Sequence, residues 1–224
     1  MKTALITSII LFTRIYATYA QGSINFANLA AGVNAPVTNA AGNLIVGPNP
    51  YVADLFWSDN TNASLDDLMA TGLTAVFSTN YPGYFFGGVR TFPGIPTILV
   101  QVRVWDSSYG QTYFQARDNG GEFGFSNPFL IVTSAPPGTP TNLTPLEGFQ
   151  LQRLPLLAAT LTRTNTIVFS WPVEQTAYAV QQNPDLSPNN WVTLPNTPVT
   201  VGQQQQVIVP VPSSGRIFYR LVSQ

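Results

Sequence analysis

Residues 97 to 105 read TILVQVRVW, and the reading of this stretch decides the fold class. Ile98, Val100, Val102 and Val104 recur at every second position, which is the period of an extended chain and not of a helix. Gln101 and Arg103 fall between them. The alternation predicts a strand with one face in a core and the other at least partly wet.

Stretches of the same kind lie on both sides. YVADLFW (51–57), GLTAVFST (72–79), YFFGGVRTF (84–92), QTYFQAR (111–117) and NPFLIVTS (127–134) are rich in β-branched and aromatic residues and are bounded by turn-forming clusters, so each is expected to be a strand. After residue 143 the pattern resumes with LLAATLT, TIVFSWP, AYAVQQ, WVTL, QVIVPV and RIFYRLV. No clear helix separates one strand from the next, so antiparallel pairing is expected. A helical start is signalled only at SLDDLMAT, where Ser64 is a candidate cap with Asp67 three residues on.

Between the two sets lies APPGTPTN (135–142), with three prolines and one glycine, a composition that reads as a semi-rigid linker. The expected organisation is therefore a first domain over 21–134, the linker over 135–142 and a second domain over 143–224. The fold class is all-β, as two antiparallel β-sandwich domains.

Residues 1–20 read differently. Lys2 supplies a positive start, ALITSIILF (4–12) a short apolar run, and ATYA (17–20) a small residue at the end, as in a secretory signal peptide cleaved before Gln21. A run of nine residues falls well short of the roughly 20 that span a bilayer, so no membrane span is expected once the signal is removed. The mature chain has seven Arg against ten Asp and Glu, a net charge of −3, which makes nucleic acid a poor partner. Charged residues make up only 8% of the chain, about a third of the roughly 25% common in soluble domains. A surface built mainly from Ser, Thr, Asn, Gln and Pro suits an extracellular, cell-surface or periplasmic protein.

Beyond the signal segment there is no Cys, His or Lys. Serine triads, cysteine nucleophiles, Schiff bases and histidine-bound zinc all need those side chains. Paired carboxylates remain open, with Asp106, Asp118 and Glu122 as candidates for a glycosidic reaction that needs two acids about 5 to 10 Å apart. RDNGGEFG (117–124) also offers hard oxygen ligands suited to calcium. Its Asn-Gly is a strong turn signal that explains the glycines without a metal, so neither metal nor cofactor is expected.

Aromatic residues are the other candidates for function. Trp171 shares a strand face with Ile167 and Phe169 and is expected in the core. Trp191 opens a short strand after the polar turn PDLSPNN and is expected at a sandwich edge, partly exposed. Tyr81, Tyr84 and Tyr109 lie in turn-rich segments, where rings can stack on sugars or close the ends of a sandwich. These three and Trp191 are the candidate ligand-binding residues.

The motifs SWP, QQNPDL, NNW and FYRL in the last 60 residues resemble a fibronectin-III or immunoglobulin-like module. Together with QGSINFAN, VQVRVWD and GFSNPF nearer the start, they resemble exported bacterial β-sandwich proteins of unassigned function. That resemblance implies export and a sandwich architecture but carries over no catalytic residue. The expected function is a structural or adhesive surface module that is not an enzyme, whose partners are extracellular polysaccharide or surface proteins. Carbohydrate binding is the alternative, followed by a carboxylate-dependent glycan hydrolase.

Overall fold

A computed structural model describes residues 21–94, 97–173, 177–213 and 215–224. The signal segment expected over 1–20 lies outside them. The described chain is all-β, with several sheets and one short α-helix. No helix among the described residues is long and apolar enough to cross a membrane.

The deciding stretch forms the strand Thr97–Asp106, at the centre of the largest sheet. On one side it pairs antiparallel with Tyr51–Ser58, from Tyr51 opposite Asp106 to Ser58 opposite Leu99. On the other it pairs first with Glu122–Phe125 and then with Phe129–Val132. Ser126 bridges the break between those two, accepting from the Val102 amide through its hydroxyl and donating its own amide to the Val102 carbonyl.

A second sheet places Gln21–Ala27 between Phe86–Pro93, which runs antiparallel, and Thr141–Asn142, which runs parallel. Its inward side chains, among them Ile24, Phe26 and Phe92, meet Leu55, Ile98, Val100, Val102 and Val104 of the large sheet in one buried cluster. Burial of this apolar area is the main stabilising term for this part of the chain.

The face of Thr97–Asp106 expected to be wet is buried as well. Leu99, Gln101, Arg103 and Trp105 are all buried, and a second cluster covers them, formed with Phe56, Leu68, Tyr113, Ala116 and Phe123. The cover comes from a helix, Tyr113–Asp118, in the segment QTYFQAR that the sequence reading assigns to a strand. Thr112 and Gln115 close a capping box at its start, satisfying backbone amides that would otherwise lack partners. Gly120, at φ +79°, then turns the chain out of the helix into Glu122–Phe125, so the Asn-Gly turn joins a helix to a strand. At SLDDLMAT the structure has a 3-10 turn, Leu65–Asp67, with Ser64 as its cap, followed by the short strand Met69–Ala70.

Residues 141–153, which the sequence reading divides between the linker and the second domain, pair with the first set of sheets. Thr141–Asn142 lies beside Gln21–Ala27, Phe149–Gln150 runs parallel to Val37–Thr38, and Gln152–Arg153 extends the large sheet beyond Glu122–Phe125. Leu143, Leu146 and Leu151 are buried in the first cluster. The two parallel pairings depart from the purely antiparallel expectation, because this segment returns along strands laid down more than a hundred residues earlier.

After Arg153 the six expected strands are all present: Ala158–Leu161, Thr166–Pro172, Tyr178–Asn183, Val192–Thr193, Gln204–Pro210 and Phe218–Ser223. Val199–Val201 adds a seventh, and the strands divide into a sheet of four and a sheet of three. Phe169, Trp171, Val180, Val207 and Val209 form the cluster between them, with Tyr219 packed against Phe169 at a centroid distance of 4.5 Å.

Candidate functional site

The candidate residues fall into separate places. Tyr81 and Tyr84 share one turn, in which the Tyr84 amide donates to the Tyr81 carbonyl. Tyr81 is 54% exposed and meets the equally exposed Phe86 edge-on, at 5.9 Å. Tyr84 is half-buried, and its hydroxyl donates to Asn34. Tyr109 lies in another turn, against Gly121, with the guanidinium of Arg153 5.6 Å from its ring centroid. Trp191 is half-buried in the C-terminal part, and Arg220 lies 4.1 Å from its ring centroid. Arg220 is itself fixed by two hydrogen bonds to Gln181, so one face of the Trp191 ring is occupied by the protein's own cation.

Two of the three candidate carboxylates, Glu122 and Asp106, flank the cross-strand pair of Phe123 and Trp105, and both act on Tyr51. Both are engaged. Glu122 accepts from the Ala40 amide and the Tyr51 hydroxyl through one oxygen, and Arg153 stands 3.7 Å from the other. Asp106 accepts from the amide and hydroxyl of Ser108 in the turn that follows it. Burial, reinforced by the hydrogen bond to Glu122, pushes the Tyr51 phenol well above its ordinary pKa. Asp118 points elsewhere, pairing with Arg117 at the end of the helix. No group of three or more acids gathers to hold a metal among the described residues.

The third feature is absent from the sequence reading. Beneath the helix lies a recess of about 170 Å³, lined by Asp66, Gln101, Arg103, Tyr113, Phe114 and neighbouring side chains. Arg103 is only 4% exposed. Its guanidinium lies 4.1 Å from the ring centroid of Phe56, 5.1 Å from that of Tyr113 and 5.4 Å from that of Phe114. Its Nε donates to Gln101 Oε1 at 2.8 Å, and its Nη2 donates to the Leu65 carbonyl at 2.6 Å. Gln101 is held in turn, since its amide donates to the Ser126 carbonyl, which leaves Oε1 facing the guanidinium. Phe125, directly across the strand pair from Arg103, and Arg117, from the helix, complete the wall.

Burial pushes the Tyr113 phenol up to about 12, against the opposing pull of Arg103 and Arg117. The folded protein therefore holds this proton more tightly than the unfolded chain. The resulting stabilisation is complete below pH 10, the ordinary phenol value, and is lost as pH rises through 12. Tyr113→Phe should remove about 2 to 3 kcal/mol of the alkaline loss between those limits. Urea unfolding at pH 8, 10 and 12 measures it, and identical alkaline losses in both proteins would contradict the burial of this hydroxyl. No protein-family model matches the chain, and no curated protein matches it.

Proposed function

We propose that the protein is an exported module of two β-sandwich units that acts by surface adhesion or as a structural element, and not by catalysis. The second unit begins after Arg153 and is of the fibronectin-III or immunoglobulin-like kind. Its division into sheets of four and three strands, with Trp171 between them, supports that assignment. The observation that carries the adhesive reading is the outward face of its four-stranded sheet. Alternation with the buried Phe169, Trp171, Val207 and Val209 turns Thr160, Val168, Val199, Val201, Gln206 and Ile208 outward. None of these carries a charge, and Val199, Val201 and Ile208 are each more than half exposed. An uncharged face that exposes Val199, Val201 and Ile208 among neutral polar side chains suits an interaction surface. The engagement of Asp106, Asp118 and Glu122 within the protein supports the absence of catalysis.

Carbohydrate binding is the second reading, favoured by the exposed Tyr81–Phe86 pair. One experiment separates the two: retention of the mature protein on cell-surface preparations and on insoluble polysaccharides. Val199→Lys with Ile208→Lys should abolish retention on cell surfaces while leaving the unfolding midpoint nearly unchanged, because both positions are exposed. Tyr81→Ala should leave that retention intact and change stability by no more than about 0.5 kcal/mol. Loss of polysaccharide retention in Tyr81→Ala alone would select the second reading.

A further inference from the structure

We infer that the recess beneath the Tyr113–Asp118 helix binds a carboxylate carried on a pyranose ring, a uronic acid residue, through Arg103 and Arg117. The adhesive face belongs to the C-terminal sheets, so this site stands independently of it.

The starting point is the state of Arg103. A buried cation is normally matched by an anion, because removing its charge from water is costly. Two ion pairs exist among the described residues, Arg117 with Asp118 and Arg153 with Glu122, and neither involves Arg103. Its two hydrogen-bonded nitrogens meet neutral oxygens, no hydrogen bond from the described residues reaches Nη1, and the acid that acts on it, Asp66, does so without forming an ion pair. Three aromatic rings offset part of the cost of burial. They supply no negative charge.

The guanidinium is also preorganised. The chain of donors from Arg103 to Gln101 and from Gln101 to Ser126 fixes its plane, and the rings fix its position. A carboxylate entering the recess meets a donor already oriented, so little side-chain freedom is lost on binding. Arg117 lines the same recess and adds a second guanidinium, paired through its Nε with Asp118 outside the lining, and Asp66 is the one acid within it. A phosphate or sulfate would find the cations but would make no use of the apolar rim.

That rim determines the rest of the ligand. Phe114 is 38% exposed and Phe125 46%, both beside the guanidinium. Arg103 and Arg117 lie 5.4 and 5.1 Å from the Phe114 centroid, and the exposed surface of Phe125 next to that fixed polar contact suits the C–H face of a sugar, with the charged group held at one end. The volume of about 170 Å³ lies below the roughly 300 to 1,000 Å³ of sites for drug-sized ligands, which fits one sugar residue and not an oligosaccharide.

The test is calorimetric titration of the full mature chain with sodium glucuronate, glucose and sodium acetate. Glucuronate should bind at least about tenfold more tightly than either control, since glucose lacks the anion and acetate lacks the ring. Arg117→Gln and Phe125→Ala, both at the rim and expected to fold, should each weaken glucuronate about three- to tenfold, with circular dichroism confirming the fold. Absence of glucuronate binding to the folded protein would overturn the inference. So would equal affinity for glucose or for acetate, or full affinity retained in both variants.

Discussion

Replacing Trp171 by alanine is expected to destabilise the C-terminal part of the chain by about 3 to 5 kcal/mol, the range for truncating a buried large aromatic side chain. Trp171 is 1% exposed and stands in the cluster with Phe169, Val180, Val207 and Val209, so the neighbouring strands cannot collapse into the space it vacates without moving both sheets. Trp191→Ala should cost about 1 kcal/mol, because its ring is half-buried and its identified partner is the exposed Arg220. Urea unfolding followed by far-ultraviolet circular dichroism compares the two. Equal losses would mean that the inward face of Thr166–Pro172 is assigned wrongly.

Asn28→Ala is expected to cost a similar amount, about 3 to 5 kcal/mol, for a different reason. Asn28 is fully buried, and its amide nitrogen donates to the carbonyls of Ala35 and Gly83, while its amide oxygen accepts from the Phe85 amide. One side chain thus bonds three buried backbone groups from two segments. Alanine removes the side-chain partner of the Ala35 carbonyl and the Phe85 amide and leaves the Gly83 carbonyl with the Val37 amide, a larger loss than the bonds themselves were worth. Asn28→Asp keeps the shape but removes the donor, and it should be at least as damaging. A loss below about 1 kcal/mol for Asn28→Ala, measured by the same unfolding, would show that the surrounding loops re-pair their backbone groups elsewhere.

How much of this was legible depended on whether the signal was local. Period-two alternation identified Thr97–Asp106 and the inward set around Trp171, since alternate residues of each strand enter one shared cluster. The helix was misread because Tyr113 and Phe114 favour strands, and six residues are too few to show a helical period. Thr112 with Gln115 three residues on was the available signal, the same capping pattern sought at Ser64. That misreading carried a second one with it. Without a helix above them, Gln101 and Arg103 read as a wet face, and the recess could not be foreseen.

The tyrosines show another limit. Sequence placed Tyr81, Tyr84 and Tyr109 in turns, where they are, but which rings share a surface depends on how turns from different strands are brought together. The structure groups Tyr81 with Phe86 and gives Tyr109 to Arg153. Likewise Leu143, Leu146 and Leu151 have no regular spacing, and their partners lie far away along the chain. The three prolines just before them were the stronger local signal.

The return of residues 141–153 to the first sheets also bears on the order of events during synthesis. Ser23 bonds to Ser134 and Asn25 to Asn142, across separations of 111 and 117 residues. Gln21–Ala27 is among the first described strands to be made, yet one of its edges waits for Thr141–Asn142, and the core waits for Leu143, Leu146 and Leu151. Pairings this distant close slowly and leave strand edges open meanwhile. Such a chain gains from staying unfolded until all of it through Arg153 is available.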